Sequence, residues 1–365
     1  MGVLECIVHR VPMRDPGDVS GILGLIEAGC LAPREIVAIL GKTEGNGCVN
    51  DFTRAFAVRA LRDAIAVHTP TDRVALVMSG GSEGGLAPHW LVLERRDGVA
   101  GPTPALAIGT AHTPALPPEH LGRRAQAALV ADGVRAAMAD AGIVDPADVH
   151  YVQIKCPLLT AERIAEAEGR GAATATRDTL KSMGLSRGAS ALGVALALGE
   201  IAADEVADTA IGRDFSLWSG RASTSAGVEL LNHEIVVLGM SRGWNGRLAI
   251  DHAVMTDGID VEPVRRALGR LGVATVGQLG AAERGRVVAV LAKAEAGSTG
   301  QLRGYRHTML DDSDISATRH ARAFVGGALA ALIGHAEIFV SGGAEHQGPD
   351  GGGPVAVIVS REEAR

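Results

Sequence analysis

One short pattern occurs three times in this chain: Ser, then Gly or Ala, then Gly, any residue, and Glu. It reads Ser79-Gly80-Gly81-Ser82-Glu83, Ser225-Ala226-Gly227-Val228-Glu229 and Ser341-Gly342-Gly343-Ala344-Glu345. Upstream of each, an apolar run ends in a lysine: 36–41 before Lys42, 149–154 before Lys155 and 287–292 before Lys293. Between lysine and serine stands an arginine on or beside a predicted helix, namely Arg54, Arg187 and Arg322. The lysine-to-serine spacings are 37, 70 and 48 residues, so the shared elements are separated by insertions of different length. One pentapeptide match is cheap; three with the same upstream partners in the same order point to three homologous domains. Pro-rich turns at 101–104 and 114–118 and a break near 255–263 put the repeats at 1–104, 112–250 and 256–365. The fold class expected is α/β (or α+β), three repeats about a pseudo-three-fold axis, strands inside and helices outside.

Composition narrows the function. Of 365 residues, 47% are apolar, enough for a buried core and too many for general disorder. Lys and Arg number 35 against 42 Asp and Glu, a net charge of −7. Nothing in that balance would neutralise a phosphate backbone, so a nucleic-acid partner is not expected. The apolar stretch 325–340 is interrupted by Gly326, Gly327, Gly334, His335 and Glu337 and falls short of a membrane span. Four cysteines without paired spacing (Cys6, Cys30, Cys48, Cys156) suit a reducing, cytoplasmic setting. The expected partner is a small molecule.

Three related domains around one axis bring equivalent residues to one point. Three Ser, three Lys and three Arg there would offer many donors and positive charge to a small, acidic guest rich in carbonyl oxygens. They also hold chemistry. A serine becomes a nucleophile when a base takes its proton, and a lysine is that base once neutral. Desolvation and crowded cations both lower a lysine pKa. Lys42 and Lys293 each have a glutamate two positions on, Glu44 and Glu295, whereas Lys155 has Pro157. This marks Lys155 as the lysine with least carboxylate support and the best candidate for a neutral base.

At these residues the chain resembles the ring-opening amidohydrolases, which open the rings of cyanuric and barbituric acids. The likeness covers essentially the whole sequence. It rests on Gly41-Lys42-Thr43-Glu44-Gly45-Asn46-Gly47, Lys155-Cys156-Pro157-Leu158-Leu159 and Ser186-Arg187-Gly188-Ala189-Ser190, together with Arg306-His307-Thr308-Met309-Leu310 and the segment from Ser341 to Pro349. The resemblance implies hydrolysis of cyanuric acid to carboxybiuret, which loses carbon dioxide to give biuret. It implies Ser225 as nucleophile and Lys155 as base, with Arg54, Arg187, Arg322, Lys42, Lys293, Ser79-Gly80, Ala226 and Ser341-Gly342 on the substrate. It further implies a structural divalent cation, typically Mg²⁺, near Glu295, Ala344, Gln347, Gly348, Pro349 and Gly352, no organic cofactor, and a homotetramer. Thr318, close to Arg322, is a candidate for setting the choice between rings. Barbituric acid is the alternative substrate, and a non-catalytic binder of small acids is the alternative function.

Plainer readings hold for several other features. Gly41-Lys42-Thr43 imitates the end of a phosphate-binding loop, but the upstream glycine is replaced by Ile36. Cys156, adjacent to Lys155 on a strand, faces the other way and reads as a buried structural thiol. The acidic run 311–314 reads as a helix start, and His346 as structural.

Overall fold

The computed structural model describes residues 2–361. The chain runs three times through the order strand, helix, strand, helix, strand, strand. The first repeat is β1 (Leu4–Pro12), α1 (Ser20–Glu27), β2 (Ile36–Thr43), α2 (Phe52–Ile65), β3 (Ala75–Gly80) and β4 (His89–Asp97). The second is β5 (Ala105–His112), α3 (Arg124–Asp140), β6 (Val149–Pro157), α4 (Ala161–Gly169), α5 (Thr179–Ala197), β7 (Ala222–Gly227) and β8 (Glu234–Ser241). The third is β9 (Leu248–Met255), α6 (Glu262–Arg270), α7 (Ala281–Arg286), β10 (Val287–Ala294), the small hairpin β11 (Gln301–Leu302) and β12 (Tyr305–Arg306), α8 (Ala317–Ile333), β13 (Phe339–Gly342) and β14 (Gly353–Ser360). Helix α4 with the loop after α5, and the β11–β12 hairpin, are the insertions that lengthen the lysine-to-serine spacing in the second and third repeats.

Each repeat builds one four-stranded sheet of the same order: β1-β4-β2-β3, β5-β8-β6-β7 and β9-β14-β10-β13. In every sheet the lysine strand and the serine strand pair in parallel, with Lys42 opposite Ser79, Lys155 opposite Ser225 and Lys293 opposite Ser341. Parallel neighbours need a crossover, and the arginine-bearing helices α2, α5 and α8 supply it. The polar segment before Ser225 is therefore a full strand, β7. Two edges differ from the sequence reading. The segment 105–112 is β5, the outer strand of the second sheet, and the segment 248–255 is β9, the outer strand of the third. Both belong with the repeat that follows the turn because their backbone groups are satisfied in that sheet.

Alternation along the strands sorts residues between two cores. On β2 and β3, Ala38, Leu40, Ala75 and Val77 join a central core shared with strands of the other sheets, whereas Ile39, Leu76 and Met78 pack on α1 and α2. The same split on β10 sends Ala289 and Leu291 inward and Val290 and Ala292 towards α8. Lys42, Ser79, Lys293 and Ser341 continue the inward sets, so a period of two aims them at the middle of the molecule. Helix α8 buries Ala321, Arg322, Val325, Leu329 and Ile333, while Phe324 lies exposed. Gly41, next to Lys42, has no room for a side chain, since a Cβ there would sit 2.6 Å from the Trp90 ring.

The linkers between repeats gather at one end of the molecule. Leu4 N–H donates to Gly243 O, Asn245 N–H to Leu4 O and Gly98 N–H to Val3 O. Arg361 N–H donates to Arg247 O, and the Arg361 guanidinium reaches Thr103 Oγ1 and Pro104 O. No helix among the described residues is long and apolar enough to cross a membrane.

Candidate active site

The inward-pointing sets of the three sheets converge on one cavity, lined by Ser79, Ser225, Ser341, Arg54, Arg187 and Arg322, with Gly47, Gly80, Met183, Ala226 and Gly342. Six of the nine residues expected there line it. The lysines do not; they lie fully buried behind the serines. Lys293 Nζ donates to Ser341 Oγ at 3.1 Å and to Thr224 O at 2.8 Å, and Lys42 Nζ lies 3.5 Å from Ser79 Oγ. Lys155 differs. Its Nζ donates to Met78 O at 2.7 Å and stands 2.8 Å from Glu229 Oε1. Ser225 Oγ is 3.4 Å from Ser341 Oγ, and Ser225, 8% exposed, is the most open of the three serines, against 2% and 1% for Ser79 and Ser341.

The fifth residue of the repeated pattern, given no role by the sequence, turns out to join the repeats. Arg322 of the third repeat holds Glu83 of the first through a two-point fork, at 2.8 and 2.5 Å. Arg187 of the second holds Glu345 of the third in the same way, at 2.8 and 2.5 Å. Arg54 of the first faces Glu229 of the second, but at 3.8 Å, and its donors go to the carbonyls of Cys48, Ala226 and Gly47. A local cause lies in the turns. Gly81 and Gly343 have left-handed backbones, φ 102° and 77°, and a Cβ on either would sit within about 2.5 Å of the arginine received from the neighbouring repeat. Gly227 is not left-handed, and the space beside it holds Glu229 itself. The three-fold pattern is broken at the second repeat, and there the carboxylate goes to the lysine.

This reverses the sequence argument about Lys155. Glu44 is exposed because β2 ends at Thr43. The carboxylate that matters comes from a neighbouring strand end, which spacing along one strand cannot register. Burial pulls Lys155 below its ordinary pKa, and Glu229 opposes the shift. Lys42, buried and facing Arg322, is lowered well below the lysine range. Burial and Arg187 bring Lys293 down to about 7.

Glu234, opposite Lys155 on β8, was also missed by the sequence reading. Burial raises its carboxyl to about 7, while it accepts a 2.6 Å hydrogen bond from Leu76 N–H of the first repeat. A folded pKa above the unfolded value means that stability is greatest below about 4.5 and is lost as pH rises through about 7. Glu234→Gln should therefore gain on the wild type between pH 5 and pH 8 in urea midpoint. A constant difference between the two proteins would show that Glu234 does not titrate in this window.

The backbone of the serine strands adds donors. Gly81 N–H is spent on Thr43 O and Gly343 N–H on Ala294 O. The preceding amides, Gly80 and Gly342, point the opposite way along an extended strand, out of the sheet, and both residues line the cavity. Ala226 shares its direction with Thr224, whose N–H leaves the sheet to meet Gln347 Oε1 at 2.7 Å. A wider cleft, lined by Asn46, Thr318, Arg187, Arg322, Gly342 and Glu345 among others, adjoins the cavity. Thr318 stands one turn before Arg322 on α8, so both reach the same edge of the site.

The residues expected around a divalent cation separate into two groups. Glu295, Ala344, Gly348 and Pro349 line one cleft, where Glu295 Oε2 accepts from Ala344 N–H at 2.5 Å. Gln347 is buried with its side chain spent on Thr224, Gly343 and Glu345, leaving its main-chain carbonyl as the available donor. Gly352 closes the turn through Pro349 O. Burial and the Glu345 carboxylate raise Glu295 to about 7, against the opposing pull of Arg187 and Lys293. A carboxylate grouped with main-chain carbonyl oxygens is a donor set that suits a hard cation. Among the other residues read as structural, Cys156 is buried, and His346 is fixed between Leu217 O and Gly212 N–H.

Residues 7–360 match the model of the amidohydrolase ring-opening protein family. The chain is 65% identical over 362 residues to the cyanuric acid amidohydrolase of Bradyrhizobium sp. (strain ORS 375), with 97% of each chain covered. It is 64% identical over 357 residues to that of Azorhizobium caulinodans, covering 97% of this chain and 98% of the relative. Among solved structures, the cyanuric acid hydrolase of A. caulinodans superposes with a TM-score of 0.92 at 62% identity, covering 98% of this chain and all of that one. A second cyanuric acid hydrolase structure, described as an innovation by structural concatenation, gives 0.94 at 49% identity with the same coverage.

Proposed function

The chain belongs to the ring-opening amidohydrolase family, and from that premise we propose that it hydrolyses cyanuric acid to carboxybiuret, which decarboxylates to biuret. One observation carries the substrate choice: three serines and three arginines from three repeats face one small cavity. A planar ring with three carbonyls and three N–H groups presents the same set of contacts to each repeat. Serine hydroxyls and the amides of Gly80, Ala226 and Gly342 meet its oxygens, and the arginines balance its acidity.

Ser225 is the nucleophile in this reading and Lys155 its base. Neutral Lys155 takes the hydroxyl proton as Ser225 Oγ bonds to a ring carbonyl carbon. The Ala226 amide faces the oxygen that gains charge. Collapse breaks the ring C–N bond, and the proton held by Lys155 goes to the leaving nitrogen. Water then cleaves the acyl-serine. The Met78 carbonyl and Glu229 hold Lys155 Nζ in place, and a shift of Nζ towards Ser225 on substrate binding completes the dyad, since catalytic contacts are often loose without ligand. A second reading is favoured by a specific contact. Lys293, at about 7, already bonds Ser341, which makes the third-repeat pair the better-formed dyad before substrate arrives.

A divalent cation such as Mg²⁺ at Glu295 and the 344–352 carbonyls would act structurally, screening Glu295 from Glu345 and so fixing the partner of Arg187. A soluble cytoplasmic homotetramer completes the proposal.

Purified protein given cyanuric acid is expected to release biuret and carbon dioxide in equal amounts. Barbituric acid lacks one ring N–H and leaves an acceptor of the site unpaired. That costs about 1–3 kcal/mol, or roughly ten- to a hundred-fold in kcat/KM. A preference for barbituric acid would reverse the substrate assignment, and turnover of neither ring would favour a binding protein.

A further inference from the structure

Strand register shows what stands at each junction between repeats. Arg10 pairs with Leu91 and Leu91 with Leu40; Thr110 pairs with Val236 and Val236 with Gln153; His252 pairs with Ala356 and Ala356 with Leu291. Leu40, Gln153 and Leu291 each lie two residues before their repeat's lysine. Arg10, Thr110 and His252 are therefore equivalent positions on the outer strands β1, β5 and β9.

Where the first repeat meets the third, Arg10 brings its own cation. Its guanidinium lies 2.9 Å from His335 Nε2 and 2.9 Å from Glu337, and donates to Val287 O at 3.3 Å. Where the third repeat meets the second, the equivalent residue is His252, which faces further acceptors. His252 Nδ1 lies 2.9 Å from His150 Nδ1 on β6, and Asp251 Oδ1 lies 3.4 Å from that same nitrogen. Among the described residues this is the one group of three His, Cys, Asp or Glu side chains arranged to hold an ion.

We propose that this junction is a site for a divalent transition ion of the zinc class, held by His150 Nδ1, His252 Nδ1 and Asp251 Oδ1 and tying the second repeat to the third. Two imidazoles and one carboxylate form a borderline-soft set that selects such an ion over Mg²⁺. Zinc ligands lie about 2.0–2.2 Å from the ion, which puts tetrahedral neighbours about 3.3 Å apart. The Asp251–His150 separation already fits, and the rings need to part by only a few tenths of an ångström. The carboxylate is pre-oriented, with Oδ2 on Arg270 Nε at 2.6 Å and Oδ1 accepting His252 N–H at 2.7 Å. His150 and Asp251 keep 19% and 12% of their side-chain surface exposed, leaving a fourth position for water.

The test uses whole protein stripped with a chelator and titrated with CoCl₂. The expected result is one equivalent giving the visible bands of tetrahedral cobalt without a thiolate charge-transfer band. ZnCl₂ should bleach those bands and raise the melting temperature. His150→Ala and His252→Asn should weaken cobalt binding at least ~100-fold while, when stripped, melting within a few degrees of the stripped wild type. Glu295→Gln should keep the cobalt signal, which separates this site from the proposed hard-cation site. His252→Arg, copying Arg10, should lose cobalt yet melt above the stripped wild type. The proposal is overturned if wild type shows no tetrahedral cobalt bands, if the histidine variants bind as wild type does, or if Glu295→Gln removes the signal.

Discussion

Ser225→Ala is expected to lower kcat at least ~10³-fold while changing the dissociation constant for cyanuric acid by less than about ten-fold. Removing an attacking oxygen deletes an interaction made only on the way to the transition state, so the loss falls on kcat and leaves residual catalysis from the remaining donors. Ser79→Ala and Ser341→Ala remove ground-state hydrogen bonds instead and should act mainly on KM, by about ten-fold each. Steady-state kinetics with isothermal titration of each variant separates the two patterns. Should Ser341→Ala show the collapse in kcat and Ser225→Ala the modest effect, the Ser341/Lys293 pair becomes the dyad. Equal losses from all three would mean that the site has no dedicated nucleophile.

Arg322→Met is expected to cost about 3 kcal/mol of stability and to remove activity. Breaking a buried ion pair by deleting one partner leaves a desolvated charge, for which about 3–5 kcal/mol is usual. Glu83 retains Arg319 at 3.1 Å, which places the value at the lower end. Arg322→Lys should not rescue, because one ammonium cannot reproduce the two-point fork. The double variant Arg322→Met with Glu83→Gln should recover most of the stability and none of the activity, since Arg322 also lines the cavity. Urea midpoints for the set decide the matter; no gain in the double variant would mean that the pair is not what holds the third repeat to the first.

Triplication was readable because Lys, Arg and Ser recur in order, and the inward direction of Lys42, Ser79, Lys293 and Ser341 follows from strand alternation alone. What a linear pattern cannot contain is which repeat supplies whose partner. Glu83, Glu229 and Glu345 were visible as the fifth residue of the motif, yet their arginines sit 239, 175 and 158 positions away, and only the closing of the ring joins them. The error over Lys155 has the same origin, since its carboxylate arrives from the end of β7 and not from its own strand. The outer strands β5 and β9 fell outside the expected repeat bounds because sheet membership depends on a neighbour that no local window includes. Glu234 and His252 gave no local signal; Glu234 opens one apolar strand and His252 follows Asp251 in the middle of another, and the meaning of each comes from the residue across the junction.

Because both inter-repeat linkers lie against the first and last strands at one end of the molecule, the order in which the repeats are translated is not what the architecture depends on. Cutting the backbone at Gly101 and bridging the segments near Leu4 and Arg361 would yield a circularly permuted chain with every sheet, fork and serine unchanged. Such a permutant should refold to an active enzyme, because the closed ring of repeats, and not its starting point, is what the fold requires.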